Sequence, residues 1–133
     1  MYENVVFTDI DWEVYPPGFY RVLKWIHKTY DAPVIYVTEN GAAFQGVLGN
    51  GRIDDSKRIA YLESYLAYLH RALTEGVEIR GYFVWSLLDN FEWQYGYTKR
   101  FGLVYVDYET QRRTIKDSGH WYADVCGTGG FTL

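Results

Sequence analysis

One cysteine, Cys126, is all that the 133 residues contain, so no internal disulfide can form and a reducing compartment is the expectation. Long apolar runs are missing too. Glu3, Asp9 and Asp11 interrupt the first hydrophobic stretches where a secretory leader needs an unbroken core, and nowhere do the roughly 20 apolar residues of a membrane span follow one another. A soluble, cytoplasmic chain with no membrane partner is expected. Basic residues are in the minority, 13 Lys and Arg against 17 Asp and Glu for a net charge of -4, and they are scattered. A nucleic-acid phosphate backbone would find no positive stripe, which sets that partner aside. The three histidines, His27, His70 and His120, lie far apart without a ligand partner at useful spacing, so no metal is expected. Gly46, Gly49 and Gly51 lack the following Lys-Ser or Lys-Thr of a phosphate cradle, and no cofactor is expected either. Cys126 has neither a nearby base nor a helix N-terminus to activate it as a nucleophile.

What is abundant is aromatic: 20% of the chain, with 14 Tyr and 5 Trp, many beside Asp, Asn, Glu or Gln. Flat faces next to hydrogen-bonding groups suit sugars, although packing with a wet polar handle accounts for most such residues in any protein. The length permits one real core, whereas a closed (β/α)₈ barrel typically needs about 250 residues. No internal repeat, charge block or domain boundary divides the sequence, so residues 1–133 read as one unit.

The stretch Val34 to Gly41, Val-Ile-Tyr-Val-Thr-Glu-Asn-Gly, is β-branched and apolar until it ends in a carboxylate, an amide and a glycine. It predicts a strand covered on both faces with Glu39 at its C-terminal mouth. Before it, residues 1–13 read as a loop. Pro16-Pro17-Gly18 starts a helix with Phe19, Val22, Leu23, Ile26 and Tyr30 on its buried side, and Asp31-Ala32-Pro33 ends it. After Gly41, the glycine-rich residues 42–52 predict a mobile surface loop. A second helix starts near Asp54-Asp55-Ser56, buries Ile59, Leu62, Leu66, Leu69 and Leu73, and stops at Gly76. Val77 to Leu88 is a second strand, so the two strands and their helix form a βαβ unit with both strand ends on one rim. Phe101 to Tyr108 predicts an extended segment or hairpin turning at Glu109-Thr110-Gln111. Thr114 to Val125 predicts a terminal helix, and residues 127–133 a flexible tail.

Glu39 and Glu92 thus fall on one rim, interleaved with Trp85, Trp93 and Phe101. Glycosidases need two carboxyl groups, about 5–5.5 Å apart in retaining enzymes and about 6.5–9.5 Å apart in inverting ones, around an oxocarbenium-like transition state. The plain alternative is that Glu39 opens a solvated loop in which Asn40-Gly41 is only a turn.

Thr38-Glu39-Asn40-Gly41, the run Trp85 to Trp93 (Trp-Ser-Leu-Leu-Asp-Asn-Phe-Glu-Trp), Gly96-Tyr97 and Arg100-Phe101-Gly102-Leu103 together resemble the C-terminal part of a family 1 glycoside hydrolase, the β-glucosidase and β-galactosidase group. The resemblance runs from about Trp12 to Val125 and corresponds to about the last third of a family member. It implies an α/β fold, the C-terminal segment of a (β/α)₈ TIM barrel comprising about strands 7 and 8 with flanking helices. It implies a β-glycoside substrate and a retaining mechanism with Glu39 as nucleophile. Glu92 moves from the catalytic pair to sugar binding, together with Trp93. Trp85 becomes a stacking platform, and Phe101 and Asn40 join the pocket. The family's acid/base glutamate lies in an Asn-Glu-Pro motif, and this sequence has no Asn-Glu dipeptide. General acid catalysis contributes about 10²–10⁴-fold, so activity is expected only when a complementary N-terminal barrel segment completes the site. Self-association through open strand edges is the other expectation, and a non-catalytic half-barrel scaffold or weak sugar-binding module is the alternative function. Ile115 stands where the family commonly has Pro, a departure expected to touch only the start of the last helix.

Overall fold

Pro16 lacks only an N–H that the first turn of a helix leaves unpaired anyway, and α1 (Pro16–Thr29) begins on it. The computed structural model describes residues 5–132, so the loop expected over residues 1–13 is described only from Val5 on, where Phe7 bridges Glu13 around a turn. Leu23 is the buried residue of α1, flanked by half-buried Phe19, Tyr20 and Ile26. Val22 and Tyr30, expected on that face, are exposed. A neighbour one step along a helix is rotated by about 100°, which takes Val22 off the stripe, and Tyr30 already lies past the last turn.

β1 (Ile35–Asn40) follows, then a buried corner at Ala42, Ala43 and Phe44. The expected mobile loop is instead a hairpin: β2 (Val47–Gly49) pairs antiparallel with β3 (Arg52–Asp54). Asn50 and Gly51 both have positive φ, 51° and 76°, at its tip. Asn-Gly is the two-residue turn whose twist matches a hairpin, and it was the local signal.

The Ser56 N–H donates to Asp54 Oδ1 at 2.9 Å as α2 (Ser56–Thr74) starts. Its buried residues are Arg58, Tyr61, Leu62, Tyr65, Leu69 and Ala72, whereas Leu73 is exposed and Ile59 and Leu66 only half-buried. Leu62 and Leu69 of the expected stripe are thus buried, and the stripe is widened by an aromatic pair and shifted off Leu73. Tyr61 and Tyr65 stack with ring centroids 4.3 Å apart and pack with Ala42, Phe44 and Leu103. The helix closes as predicted at Gly76, whose φ is 92°: the Gly76 and Val77 N–H groups donate to the Leu73 and Ala72 carbonyls, both at 3.0 Å.

β4 (Ile79–Val84) lies parallel to β1, giving the expected βαβ unit, although it stops four residues short of Leu88. Ile35, Val37 and Ile79 pack with Leu23, Leu69, Ala72 and Val77 beneath the helices. The other face is open, with Tyr36 55% and Phe83 57% exposed. The prediction of a strand covered on both faces is corrected accordingly: among the described residues, helices cover one side only.

Past a 3₁₀ turn at Trp93–Tyr95, β5 (Val104–Val106) and β6 (Arg113–Ile115) form the expected hairpin, its turn fixed by Asp107 Oδ1 accepting the Glu109 and Thr110 N–H groups at 3.0 and 3.1 Å. Thr114 and Ile115 are spent on β6, so α3 (Asp117–Thr128) starts later than predicted and Ile115 is a strand residue. Gly127 and Thr128 belong to its last turn rather than to a tail, and Phe131 lies edge-on to Trp121 at 5.3 Å. Among the described residues no helix is long and apolar enough to cross a membrane, and no group of three His, Cys, Asp or Glu side chains could hold a metal ion.

Candidate active-site rim

Parallel strands deliver their C-terminal ends to the same side, and here the two ends are joined: the Trp85 N–H donates to the Asn40 carbonyl at 3.0 Å. Between the pairs Val37↔Tyr82 and Asn40↔Val84, β1 advances three residues while β4 advances two. The extra residue is a bulge at Thr38 and Glu39. Strict alternation would turn one of these two inward, but both are exposed. The Glu39 carboxylate makes no hydrogen bond among the described residues. Behind it, Gly41 lies so close to the Trp85 carbonyl that a Cβ would sit 1.7 Å from the oxygen. Only glycine permits that approach.

Asn40 is turned away from the open face. Its Nδ2 donates to Tyr61 Oη at 3.2 Å and its Oδ1 accepts from Tyr82 Oη at 2.7 Å. Burial pushes both phenols above their ordinary pKa, which keeps both protonated. The carboxamide expected to touch sugar is therefore engaged inside the unit and braces the strand end. Phe101 is 6% exposed and packs with Ile10, Ala43 and Tyr95.

The loop after β4 carries the other candidates. Trp85 is partly exposed, with a cis bond to Ser86, and Trp93 is 82% exposed. Glu92 is half-buried and closes the 3₁₀ turn with its backbone, donating to the Gly96 carbonyl at 2.7 Å and accepting from the Tyr95 N–H at 2.8 Å. A cavity of about 760 Å³ lies elsewhere, lined by Phe7, Tyr15, Phe44, Tyr61 and Tyr68, and includes none of Glu39, Trp85, Glu92 or Trp93.

Two buried ionic networks that sequence reasoning missed hold these loops. Asp89 accepts from Lys116 Nζ at 2.8 Å, the Gly102 N–H at 2.9 Å, Arg100 Nη1 at 3.0 Å and the Val106 N–H at 3.4 Å. Lys116 is wholly buried; burial, reinforced by the Arg58 charge, pulls its ammonium pKa down to about 8. The Arg100 guanidinium also rests on the Tyr108 and Tyr105 rings, 4.3 and 4.6 Å from their centroids. In the second network Arg58, 1% exposed, pairs with Asp55 at 2.9 Å and donates to main-chain carbonyls, while Asp55 also accepts the Ser118 N–H and hydroxyl at 2.8 and 2.5 Å. Burial lowers the Arg58 pKa. Arg58 lies on the same helical face as Tyr61, Leu62, Tyr65 and Leu69. Reading that face by its leucines alone concealed it.

The rim can therefore present an open carboxylate at a strand end, two indole faces and a second carboxylate, on loops fixed from below. The chain matches Glycosyl hydrolase family 1 over residues 2–131. β-Glucosidase A of Acetivibrio thermocellus is 52% identical over 125 residues, 93% of this chain and 28% of the relative. A 6-phospho-β-galactosidase of Streptococcus equi subsp. zooepidemicus is 45% identical over 122 residues, 91% of this chain and 26% of the relative. The family 1 β-glucosidase structure from Thermotoga maritima superposes with a TM-score of 0.95 at 48% identity, covering 100% of this chain and 30% of that one. A T. maritima β-glucosidase in complex with glucoimidazole gives 0.93 at 49% identity, with 98% and 30% covered. These neighbours are (β/α)₈-barrel glucosidases. The chain spans less than a third of the length of these relatives.

Proposed function

Because the chain belongs to glycosyl hydrolase family 1, we propose that it forms strands 7 and 8 of a (β/α)₈ barrel and supplies the nucleophile and part of the sugar site of a retaining β-glycosidase. β1 and β4 are those strands. The observation that carries this reading is the bulge at Thr38–Glu39, which leaves the Glu39 carboxylate exposed and unpaired at the strand end. Glu39 attacks the anomeric carbon as the bond to the leaving group breaks, forming a glycosyl-enzyme ester. Water, giving its proton to a base outside this chain, then attacks the same carbon, breaks the ester bond to Glu39 and releases the sugar with its original configuration. The proton for the leaving oxygen comes from an acid outside this chain. Trp85 offers a stacking face, and Glu92 and Trp93 accept and donate hydrogen bonds to sugar hydroxyls. Asn40 and Phe101 support the rim without touching sugar. The relatives and neighbours named as β-glucosidases, one bound to glucoimidazole, favour a β-glucoside.

The remaining barrel strands are the proposed partner, seated on the open face at Tyr36 and Phe83. The absence of any Asn-Glu dipeptide favours one other reading, a sugar-binding half-barrel that cuts no bond. Both are tested by joining this chain to the N-terminal part of the T. maritima β-glucosidase that it does not cover. Hydrolysis of p-nitrophenyl β-glucoside is expected, with a 2-deoxy-2-fluoroglucoside labelling Glu39 and Glu39→Gln losing both label and turnover. A joined barrel that binds glucoimidazole without acquiring the label would establish the binding module instead.

A further inference from the structure

The two loops that carry the candidate site share no long strand pairing, yet one side chain touches both. Arg58 Nη1 donates to the carbonyls of Ala42 and, at 3.2 Å, Phe101. Its Nη2 donates to the carbonyls of Phe44 at 2.7 Å and Arg100 at 2.8 Å. Each terminal nitrogen thus spans the gap, holding one carbonyl from the corner after β1 and one from the segment that returns beneath the β4 loop. Nε completes the set on Asp55 at 2.9 Å, so all five N–H groups of the guanidinium are used.

From those carbonyls the connections run straight to the rim. Ala42 is two residues past Asn40, with Gly41 against the Trp85 carbonyl between them. The Phe101 carbonyl that accepts from Arg58 also accepts the Ser86 N–H at 3.3 Å, beside Trp85. Arg100 offers its carbonyl to Arg58 and its guanidinium to Asp89, three residues before Glu92, and its carbonyl also accepts the Phe44 N–H at 3.2 Å. We infer that Arg58 is the positioning residue that sets the Glu39-bearing and Glu92-bearing loops relative to one another, an inference that rests on the glycosidase reading for its consequence in catalysis. The planar fork is what the task requires. A lysine ammonium has one nitrogen and three donors, and it cannot span two pairs of carbonyls at once.

The test pairs a measurement on this chain with one on the joined barrel. In Arg58→Lys, hydrogen exchange at the Phe44, Ser86 and Gly102 amides is expected to accelerate together by about tenfold or more, while the Gly76 and Val77 amides stay unchanged. In the joined barrel the same variant is expected to lower kcat about 10²-fold, the effect of displacing reacting groups by about 1 Å, with KM nearly unchanged. A merely structural arginine would lower Tm without this split. Exchange that accelerates only at Phe44, or not at all, or a kcat equal to the parent's, overturns the inference. If the joined parent has no turnover, the glycosidase reading fails while the exchange measurement still decides whether Arg58 couples the loops. Should Arg58→Lys not fold, Asp89→Asn cuts the same path from its other end and is expected to expose the Phe44 amide; an unchanged Phe44 rate there overturns the inference equally.

Discussion

Gly41 and Arg58 show how single residues set this rim by opposite means, one through the absence of a side chain and one through the use of every donor it has. At Gly41 a Cβ would meet main-chain atoms of Trp85, the oxygen at 1.7 Å and the carbonyl carbon at 2.8 Å, and backbone gives way at greater cost than a side-chain tip. Gly41→Ala is expected to destabilise the chain by about 1–3 kcal/mol, the usual cost of overpacking, measured by urea denaturation. An unchanged midpoint would mean that β1 and Trp85 are not held together as described. The place of Glu39 near the end of β1 was legible because a polar tripeptide ends an apolar run. The packing of Asn40 and Phe101 is not written in local sequence: the amide found two tyrosines and the ring found Ile10 and Ala43.

Among the elements, Glu75, the residue that follows α2, fastens that helix to the middle of α1. Its carboxylate accepts from the Tyr20 hydroxyl, from Arg71 Nε at 3.0 Å and from Lys24 Nζ at 3.3 Å. These contacts, the Tyr20 hydrogen bond foremost, hold the Glu75 pKa at about 2 against its ordinary 4.5. In the unfolded chain Glu75 takes up its proton near 4.5, and in the folded chain only near 2. The unfolded state therefore binds more protons between those values, and the stability Glu75 contributes, complete above about 4.5, is lost as pH falls towards 2. Thermal melts over this range are expected to show a shallower acid decline in Glu75→Gln than in the parent; parallel declines would remove Glu75 as a stabilising fastening. The leucine spacing of α2 correctly gave a helix and, through Leu62 and Leu69, its buried side, but it missed Arg58, Tyr61 and Tyr65, which widen that side because tyrosines bury their rings while their hydroxyls reach polar partners.

At the scale of the whole molecule the decisive feature is a two-stranded parallel sheet that, among the described residues, has helices on one side only. Tyr36 and Phe83 leave their side chains in water on a face that parallel sheets ordinarily cover. Phe83→Lys is expected to leave the stability of this chain within about 0.5 kcal/mol, since the residue is 57% exposed, yet to prevent association with the proposed complementary barrel strands. Size-exclusion chromatography of the mixed segments reads the second effect. Unimpaired association would move the partner's seat away from this face. Because a partner that binds only the folded form stabilises it, mixing the parent chain with those strands should also raise Tm in a concentration-dependent way.

Sequence by itself determined the βαβ order, the helix stop at Gly76, the second hairpin and the family, since each depends on local spacing or on contiguous motifs such as Thr-Glu-Asn-Gly and Asp-Asn-Phe-Glu-Trp. Asn50-Gly51 shows that the first hairpin was equally legible in principle. Only the tertiary structure decided which helix face is buried, where Asn40 and Phe101 point, and that Arg58, Asp89 and Lys116 hold the loops. Those outcomes depend on partners far apart in the chain, such as Arg58 with Phe101 and Lys116 with Asp89, and a buried charge declares its role only when the groups that neutralise it are brought beside it.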